Sequence, residues 1–298
     1  MWGQGLKDDD KIHQVLARML RTKYPDQIVE MLFLAHSGAS TGFNPDGTVN
    51  MHHEPRIHGE VPTLYPTILQ QIEEFDELGV SPDSITAVIL DAGINDVNLL
   101  RILNPLIPPA EIEEQVEIYC HRHMQMLVEK LVMKFKNAKI IIAAYYEFIT
   151  EDSHEEYVRH FLKAFENLLG GLIANVLVEV ADRLTEQRLL ANSDTFVERS
   201  LAAFEDVAQK INSQFKNPRV FVAVPEIKTE NAAFASDPWL FGIKEDLSAE
   251  DPLASERVAA CYEAGLSRTQ PIFCERASAG HPNPKGAKAY AEAIYALL

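Results

Sequence analysis

The sequence predicts a three-layer α/β fold built on a parallel sheet. Two observations carry this prediction. Four short, near-continuous apolar runs are typical of strands that are buried on both faces, as in parallel sheets. Longer amphipathic segments with helical spacing separate these runs along the chain, which is the βαβ order of such folds. No internal repeat divides the 298 residues, so we expect one domain over residues 1–298.

The predicted strands are rich in Val, Ile, Leu and aromatic residues, which suit a pleated, buried surface. They cover residues 28–35, 85–91, 138–146 and 219–224. The first strand leads into a turn of small residues at 36–42, and a long connection to Leu64 follows. A connection of this length suggests a function rather than a plain link.

The predicted helices show apolar residues at a spacing of three or four. They cover residues 11–24, 66–78, 109–135, 154–215 and 284–298. The first has the acidic run 8–10 at its positive end, and the fourth carries a break at Gly170-Gly171. Residues 225–274 have no regular pattern and are expected to be irregular.

Composition excludes several classes of protein. With 47% apolar and 24% charged residues the chain is ordinary for a globular domain. A net charge of −17 argues against nucleic acid or an anionic membrane as a partner. No apolar stretch reaches membrane length, and the first ten residues lack a signal-peptide pattern. As given, the chain is therefore expected to be cytoplasmic, whereas a start further upstream would leave its location open.

The three cysteines, Cys120, Cys261 and Cys274, have no metal-ligand spacing. Free thiols are expected in a reducing compartment, and a Cys261–Cys274 disulfide is the alternative if the protein is exported. No metal site is predicted in the long loop either, because it lacks a helical His-Glu-x-x-His pairing. The residues weighed for such a site were His52, His53, Glu54, His58 and Glu60.

Two short motifs fall where a single site would require them. Gly93-Ile94-Asn95-Asp96 follows the strand at 85–91, and His281-Pro282-Asn283-Pro284 opens the last helix. A parallel α/β sheet gathers strand ends and helix starts at one edge, so the two motifs are expected to meet there. The amide of Asn95 is suited to hold an oxyanion and the imidazole of His281 to move a proton, which together indicate acyl transfer.

These two motifs resemble blocks of the SGNH (GDSL-type) hydrolase superfamily of esterases and lipases. The resemblance implies a flavodoxin-like sheet and hydrolysis of a small-molecule carboxylic ester through a serine acyl-enzyme, with no cofactor. It also implies that His281 is the general base and that Asn95 shares the oxyanion hole with Gly38. Gly93 and Asp96 would shape the turn.

The nucleophile has two interpretations under this resemblance. In one, Ser37 attacks from a degenerate Gly-Asp-Ser at Ala35-His36-Ser37. In the other, the order of elements puts residues 28–35 on the family's second strand, so that Gly38 is the oxyanion glycine. Trp2-Gly3-Gln4-Gly5-Leu6 then resembles the tail of the nucleophile block, and the first strand and its serine would lie ahead of Met1. A chain without that strand is expected to be poorly stable and inactive.

The orienting acid is also open. Three residues before His281, where the family has Asp, this chain has Ser278. Glu275 is a possible substitute, and a dyad with the imidazole held by a backbone carbonyl is the alternative.

Other interpretations of the same crevice remain. An inactive remnant that binds small molecules is the main alternative to a hydrolase. A nucleotide or phosphate binder would have to use the turn at 36–42, which leads into a loop rather than a helix. Tyr145 and Tyr146 are expected either to line the crevice or to pack in the core with their hydroxyls at its edge.

Overall fold

The fold is mixed helix and sheet, with a three-stranded parallel sheet, as seen in a computed structural model. The model describes residues 3–50, 52, 60–159, 183–242, 251–265 and 274–298. The strands are β1 (Ala87–Leu90), β2 (Lys139–Ala143) and β3 (Val220–Ala223), in the order β1-β2-β3. Both pairings are parallel, so the prediction of an α/β fold with a parallel sheet is confirmed.

Helices precede, separate and follow these strands. Within the described residues they are α1 (Ile12–Lys23), α2 (Ile68–Glu74), α3 (Ile94–Val97), α4 (Leu99–Ile102), α5 (Pro109–Val116), α6 (His123–Lys134), α7 (Arg183–Asn212), α8 (Ala254–Glu263) and α9 (Pro284–Leu297). A π-helical segment, Glu117–Arg122, joins α5 to α6, so the long helix predicted at 109–135 is present with one irregular turn. The predicted break at Gly170-Gly171 lies outside the described residues.

Local chemistry explains where two of these helices begin. Thr67 accepts a hydrogen bond from the Gln70 backbone while the Gln70 side chain accepts from the Thr67 backbone, so α2 starts with a capping box. Asn283 accepts from the backbone of Lys285 and Gly286, and Pro284 occupies the first turn of α9, where a missing N–H costs nothing.

The central strand β2 divides the core in two. Ile140 and Ile142 belong to one apolar cluster, which includes residues of α5, α6 and α7. Ile141 and Ala143 belong to a second cluster, which includes residues of α1 and α9. Because side chains alternate across a strand, β2 supplies both clusters, and three of its isoleucines are fully buried.

Residues 28–35 do not form the strand that their composition predicts. They belong to no strand, and Ile28, Leu32 and Phe33 are 90%, 47% and 44% exposed. Among the described residues the sheet consists of β1, β2 and β3, and residues 28–35 are not one of its strands. The prediction of a paired, buried strand at this position is therefore wrong.

Cys261 in α8 is joined to Cys274 by a disulfide, while Cys120 is a buried free thiol. Of the two cysteine states left open by the sequence, the crosslinked one is present. Disulfides persist mainly in oxidising compartments. The cytoplasmic location stays a prediction. Across the described part of the chain, no helix is both long and apolar enough to cross a membrane.

Removing the disulfide tests its structural role. The double variant Cys261→Ala/Cys274→Ala should lower the free energy of unfolding by about 3 kcal/mol, because the bond closes a short loop in the unfolded chain. Urea unfolding measures this change. A reducing agent should lower the free energy of unfolding of the wild type to that of the double variant. It should leave the free energy of unfolding of the double variant unchanged. A wild type that is insensitive to reduction would contradict the crosslink.

Candidate active site

The predicted site residues line one cavity beside the sheet. This cavity, of about 1170 Å³, is lined by Ser37, Gly38, Gly93, Asn95 and His281. These residues come from three separate segments: the turn after residues 28–35, the turn after β1, and the residues just before α9. Residues of both motifs therefore line the same cavity, and their approach to each other across it stays a prediction.

The turn after β1 requires glycine at position 93. Gly93 has φ of +109°, and a Cβ at this position would lie 2.6 Å from Cys120 Sγ. Only glycine tolerates both the left-handed backbone and the close approach. The turn leads into the short helix α3, whose Ile94 N–H donates to the hydroxyl of Tyr145 at 3.2 Å.

Asn95 and Gly38 are held against each other. The Asn95 Nδ2 donates to the carbonyl of Ala39 at 2.9 Å, which uses one of its two hydrogens. Gly38 has φ of +82°, with Thr63 backbone atoms 2.8 Å from where its Cβ would be. Among the described residues no group accepts from the Gly38 N–H. The remaining Asn95 hydrogen and this N–H belong to two residues that line the cavity.

Asp96 fastens the two turns together. Its carboxylate accepts from the Thr41 N–H at 3.0 and 3.1 Å and from the Thr41 hydroxyl at 2.9 Å. The Thr41 hydroxyl also lies 3.2 Å from His123 Nδ1, and both residues are buried. Asp96 therefore braces the turn, as its motif predicts.

Sequence reasoning missed Thr41 and His123. Thr41 lies in a turn where any small polar residue fits, and His123 lies on an ordinary amphipathic helix, so neither carries a local signal. Burial raises the pKa of Asp96 to about 6, against the hydrogen bonds from Thr41. Burial lowers the pKa of His123 to about 4. Burial therefore disfavours the charged forms of both Asp96 and His123, which lie on either side of Thr41.

The backbone around His281 is held at several points. The His281 N–H donates to the Ser278 carbonyl, and the His281 carbonyl accepts from the Phe241 N–H, each at 2.8 Å. Just before it, the Gly280 carbonyl accepts from the Tyr146 hydroxyl at 2.7 Å. The position of the imidazole is thus set by backbone contacts to two other segments rather than by a partner of its ring.

The ring of His281 lacks an orienting acid. Its Nδ1 is buried and has no hydrogen-bond partner. Ser278 is fully buried, but its hydroxyl also has no partner, and Glu275 is exposed. Burial lowers the pKa of His281 to about 3, and the charge of Asp91, which lines the same cavity, only partly opposes this. At neutral pH the imidazole is therefore neutral, able to accept a proton but a weak base.

Ser37 is bonded to a different partner from the one that catalysis requires. Its hydroxyl donates to the Gln4 side-chain carbonyl, with no hydrogen bond to His281. The Gln4 amide in turn donates to the Glu60 carbonyl at 2.6 Å, and the Gly5 N–H donates to the Glu60 carboxylate at 2.7 Å. Residues 3–5 are therefore fixed at the mouth of the cavity beside Ser37.

Tyr145 and Tyr146 are core residues with hydroxyls at the edge of the site. Both are buried, and their hydroxyls support the turns that carry Asn95 and His281 through the bonds to Ile94 and Gly280. The two tyrosines therefore pack in the core and also line the cavity. Burial raises the pKa of both phenols well above the usual value.

The metal and phosphate alternatives receive no support from the described contacts. His52 is exposed, while His53, Glu54 and His58 lie outside the described residues, and no group of three potential ligands occurs in the remainder. In the turn at 36–42, the Thr41 N–H already donates to the Asp96 carboxylate. A carboxylate in that place repels a phosphate.

The close packing behind His281 can be tested at Gly280. Gly280→Ala should lower the free energy of unfolding by about 3 kcal/mol or more, since its methyl group would lie 2.1 Å from the Phe148 ring at φ of +80°. Gly79 is a matched control because it also has positive φ, +66°, but no atom within 4 Å. Gly79→Ala should cost about 1–2 kcal/mol in urea unfolding. Equal losses in the two variants would contradict the contact with Phe148.

The buried Asp96 should give a pH dependence of a stated sign. Its pKa is raised from 3.8 to about 6 in the folded protein, so ionisation there opposes folding. The Asp96 contribution to the free energy of unfolding should fall by about 2–3 kcal/mol as pH rises from 4 to 7. The stability of Asp96→Asn relative to wild type should therefore increase over this range in urea unfolding. The exposed control Asp83→Asn should show no such trend, and a flat difference for Asp96→Asn would rule out the raised pKa.

Comparison of the chain with protein-family models, curated proteins and solved structures finds no match. The roles of Gly38, Asn95 and His281 therefore rest on the geometry of the cavity and on the chemistry of these side chains.

Proposed function

We propose that the chain is an ester hydrolase of the SGNH type that acts on a small carboxylic ester through a serine acyl-enzyme. The observation that carries this proposal is the pairing of Asn95 with the turn at Gly38 and Ala39, which presents two N–H donors to the cavity that His281 also lines. Acyl transfer needs oxyanion donors and a general base, and Gly38, Asn95 and His281 could supply these from the walls of one cavity.

The two donors act on the carbonyl oxygen of the ester. The Gly38 N–H and the second hydrogen of Asn95 Nδ2 would hold this oxygen as it gains negative charge in the tetrahedral intermediate. Because Asn95 is already anchored to Ala39, its amide loses little freedom when the ester binds. Each such donor is typically worth about 10²–10³ in rate.

Ser37 is the nucleophile in this proposal. Its oxygen attacks the carbonyl carbon and its proton passes to His281, which returns the proton to the leaving alcohol; water then repeats the sequence on the acyl-enzyme. For this, the Ser37 hydroxyl must exchange Gln4 for the imidazole. The lack of an acid on Nδ1 and the low pKa of His281 favour slow turnover.

The finer description of the fold belongs to the same proposal. Helices of both core clusters cover opposite faces of β2, which supports a three-layer, flavodoxin-like arrangement in one domain over residues 1–298. No cofactor enters the reaction. The net charge of −17 favours a neutral or small substrate over nucleic acid.

A second function is favoured by one contact. The Ser37 hydroxyl is engaged by Gln4 and not by His281. If this contact persists when the ester is bound, the cavity holds the acyl group without cleaving it. The chain would then be a binding module that uses the same donors to hold a carbonyl or carboxylate.

Hydrolysis of p-nitrophenyl acetate tests the proposal. The purified wild type should release p-nitrophenol faster than buffer alone, and Asn95→Ala should lower kcat/KM by about 10²–10³ through loss of an oxyanion donor. Ser37→Ala and His281→Ala should each reduce the rate to background. Asn137→Ala, which removes an exposed amide outside the cavity, is the matched control. Its kcat/KM should equal that of the wild type.

The outcomes separate the two functions. Activity that survives Ser37→Ala would exclude Ser37 as the nucleophile. A folded wild type without turnover, in which Asn95→Ala weakens binding of butyrate, would favour the binding module. Hydrolysis that is equal in the wild type and in Asn95→Ala would reject the oxyanion site altogether.

A further inference from the structure

The cavity extends well beyond the candidate active site. It follows the whole length of β1, and its walls include residues 28–34 on one side and 86–90 on the other. We call this part of the cavity the strand slot. It is a gap between the edge of the sheet and residues 28–34, which lie outside the sheet.

One wall of the strand slot is the free edge of β1. Within the described residues β1 pairs with β2 along one side only, which makes its other side an edge. Three of its four residues are only partly buried, whereas the residues of β2 from Ile140 to Ala143 are all buried. A free edge beside an apolar cavity has backbone N–H and C=O groups that require partners.

Residues 28–34, the opposite wall, have the direction and side-chain alternation of a strand beside β1. The hydrogen bonds of Asn95 to Ala39 and of Asp96 to Thr41 join the carboxyl ends of residues 28–35 and β1, so the two segments run in the same direction. Side chains on this wall alternate between the two core clusters, since Met31 packs against one and Leu34 against the other. This is the period of a β-strand.

Helices close the strand slot above and below. Leu16 and Leu20 of α1 line it from the face of one core cluster. Ile68 and Ile72 of α2, with Phe75, line it from the face of the other cluster. An extended segment in the strand slot would therefore bury alternate side chains against α1 and α2, as a central strand does.

We propose that the strand slot binds an extended, apolar segment of a partner polypeptide, which adds to β1 as a further β-strand. The backbone of the segment would complete the free edge of β1, and its side chains would fill the space below α1 and above α2. This proposal does not rest on ester hydrolysis.

Other occupants fit less well. An acyl chain would fill the apolar space but leave the backbone groups of the β1 edge without hydrogen bonds. The sheet edge of a second copy is kept away from β1 because residues 28–34 close the far side of the strand slot. The shape admits one strand, which enters as a single extended segment.

Length and charge describe the segment further. The four residues of β1 correspond to about 13 Å of strand, so about five residues would cover this edge. Glu30 is the only charged residue among residues 28–34 and 86–90, so the centre of the segment should be uncharged. The chain carries a net charge of −17, which favours basic residues at its ends.

Peptide binding tests the proposal directly. The probe is a fluorescein-labelled peptide, Lys-Lys-Val-Ile-Val-Val-Ile-Lys-Lys, titrated with the full chain and followed by anisotropy. Binding should be saturable, and hydrogen exchange should slow at the amides of Ala87–Leu90. A control peptide with Pro in place of the central Val should bind about tenfold or more weakly, because it lacks one ladder hydrogen bond and resists the strand geometry.

Matched variants of the chain locate the binding. Leu32→Asp puts a charge into the wall of the strand slot and should weaken binding about tenfold. Leu78 is exposed to nearly the same degree, 44% against 47%, but lies outside the cavity, so Leu78→Asp should bind as the wild type does. Both changes are at exposed positions, and unfolding curves would show whether each variant is folded.

Several results would overturn the proposal. These are the absence of saturable binding, equal binding of the proline peptide, and equal effects of the two leucine variants. Tight binding of laurate without binding of the strand peptide would assign the slot to an acyl chain instead. Dimerisation of the chain that Leu32→Asp abolishes, seen by sedimentation, would assign it to a second copy.

Discussion

The site depends on the hydrogen bonds that the Thr41 N–H and hydroxyl donate to the Asp96 carboxylate. Residues 28–35 and β1 do not pair as strands, so no ladder of hydrogen bonds sets their distance. At their carboxyl ends the bonds from Thr41 to Asp96 and from Asn95 to Ala39 take over that task. Without these bonds Gly38 would have no fixed relation to Asn95, and the mouth of the cavity would have no defined width.

Burial of titratable groups is the cost of this arrangement. Asp96 and His123, on either side of Thr41, have pKa values shifted in opposite directions, to about 6 and about 4, because each is less stable in its charged form. His281 follows the same rule, with a pKa near 3. Burial weakens the imidazole as a base unless a carboxylate supports it, whereas Asn95, the proposed oxyanion donor, is exposed.

The chemical groups and the strand slot occupy two parts of one cavity. Ser37 and Gly38 stand at the end of the wall formed by residues 28–34, so any segment that fixes this wall would also fix the two residues that face the ester. Completion of the sheet and order in the site are therefore coupled through the chain itself.

The sequence alone determined the strands near 85–91, 138–146 and 219–224, most of the helices, and that the Asn95 and His281 motifs would line one cavity. These features follow from local periodicity, capping residues and the polarity of parallel sheets, which can be recognised in short stretches of sequence. Only the tertiary structure decided that residues 28–35 lie outside the sheet of β1, β2 and β3, because strand pairing depends on a neighbour that is distant in sequence. The same holds for the bond of Ser37 to Gln4, for the contacts of Asp96 with Thr41 and of Thr41 with His123, and for the Cys261–Cys274 disulfide. Each joins residues that are brought together only when the chain has folded.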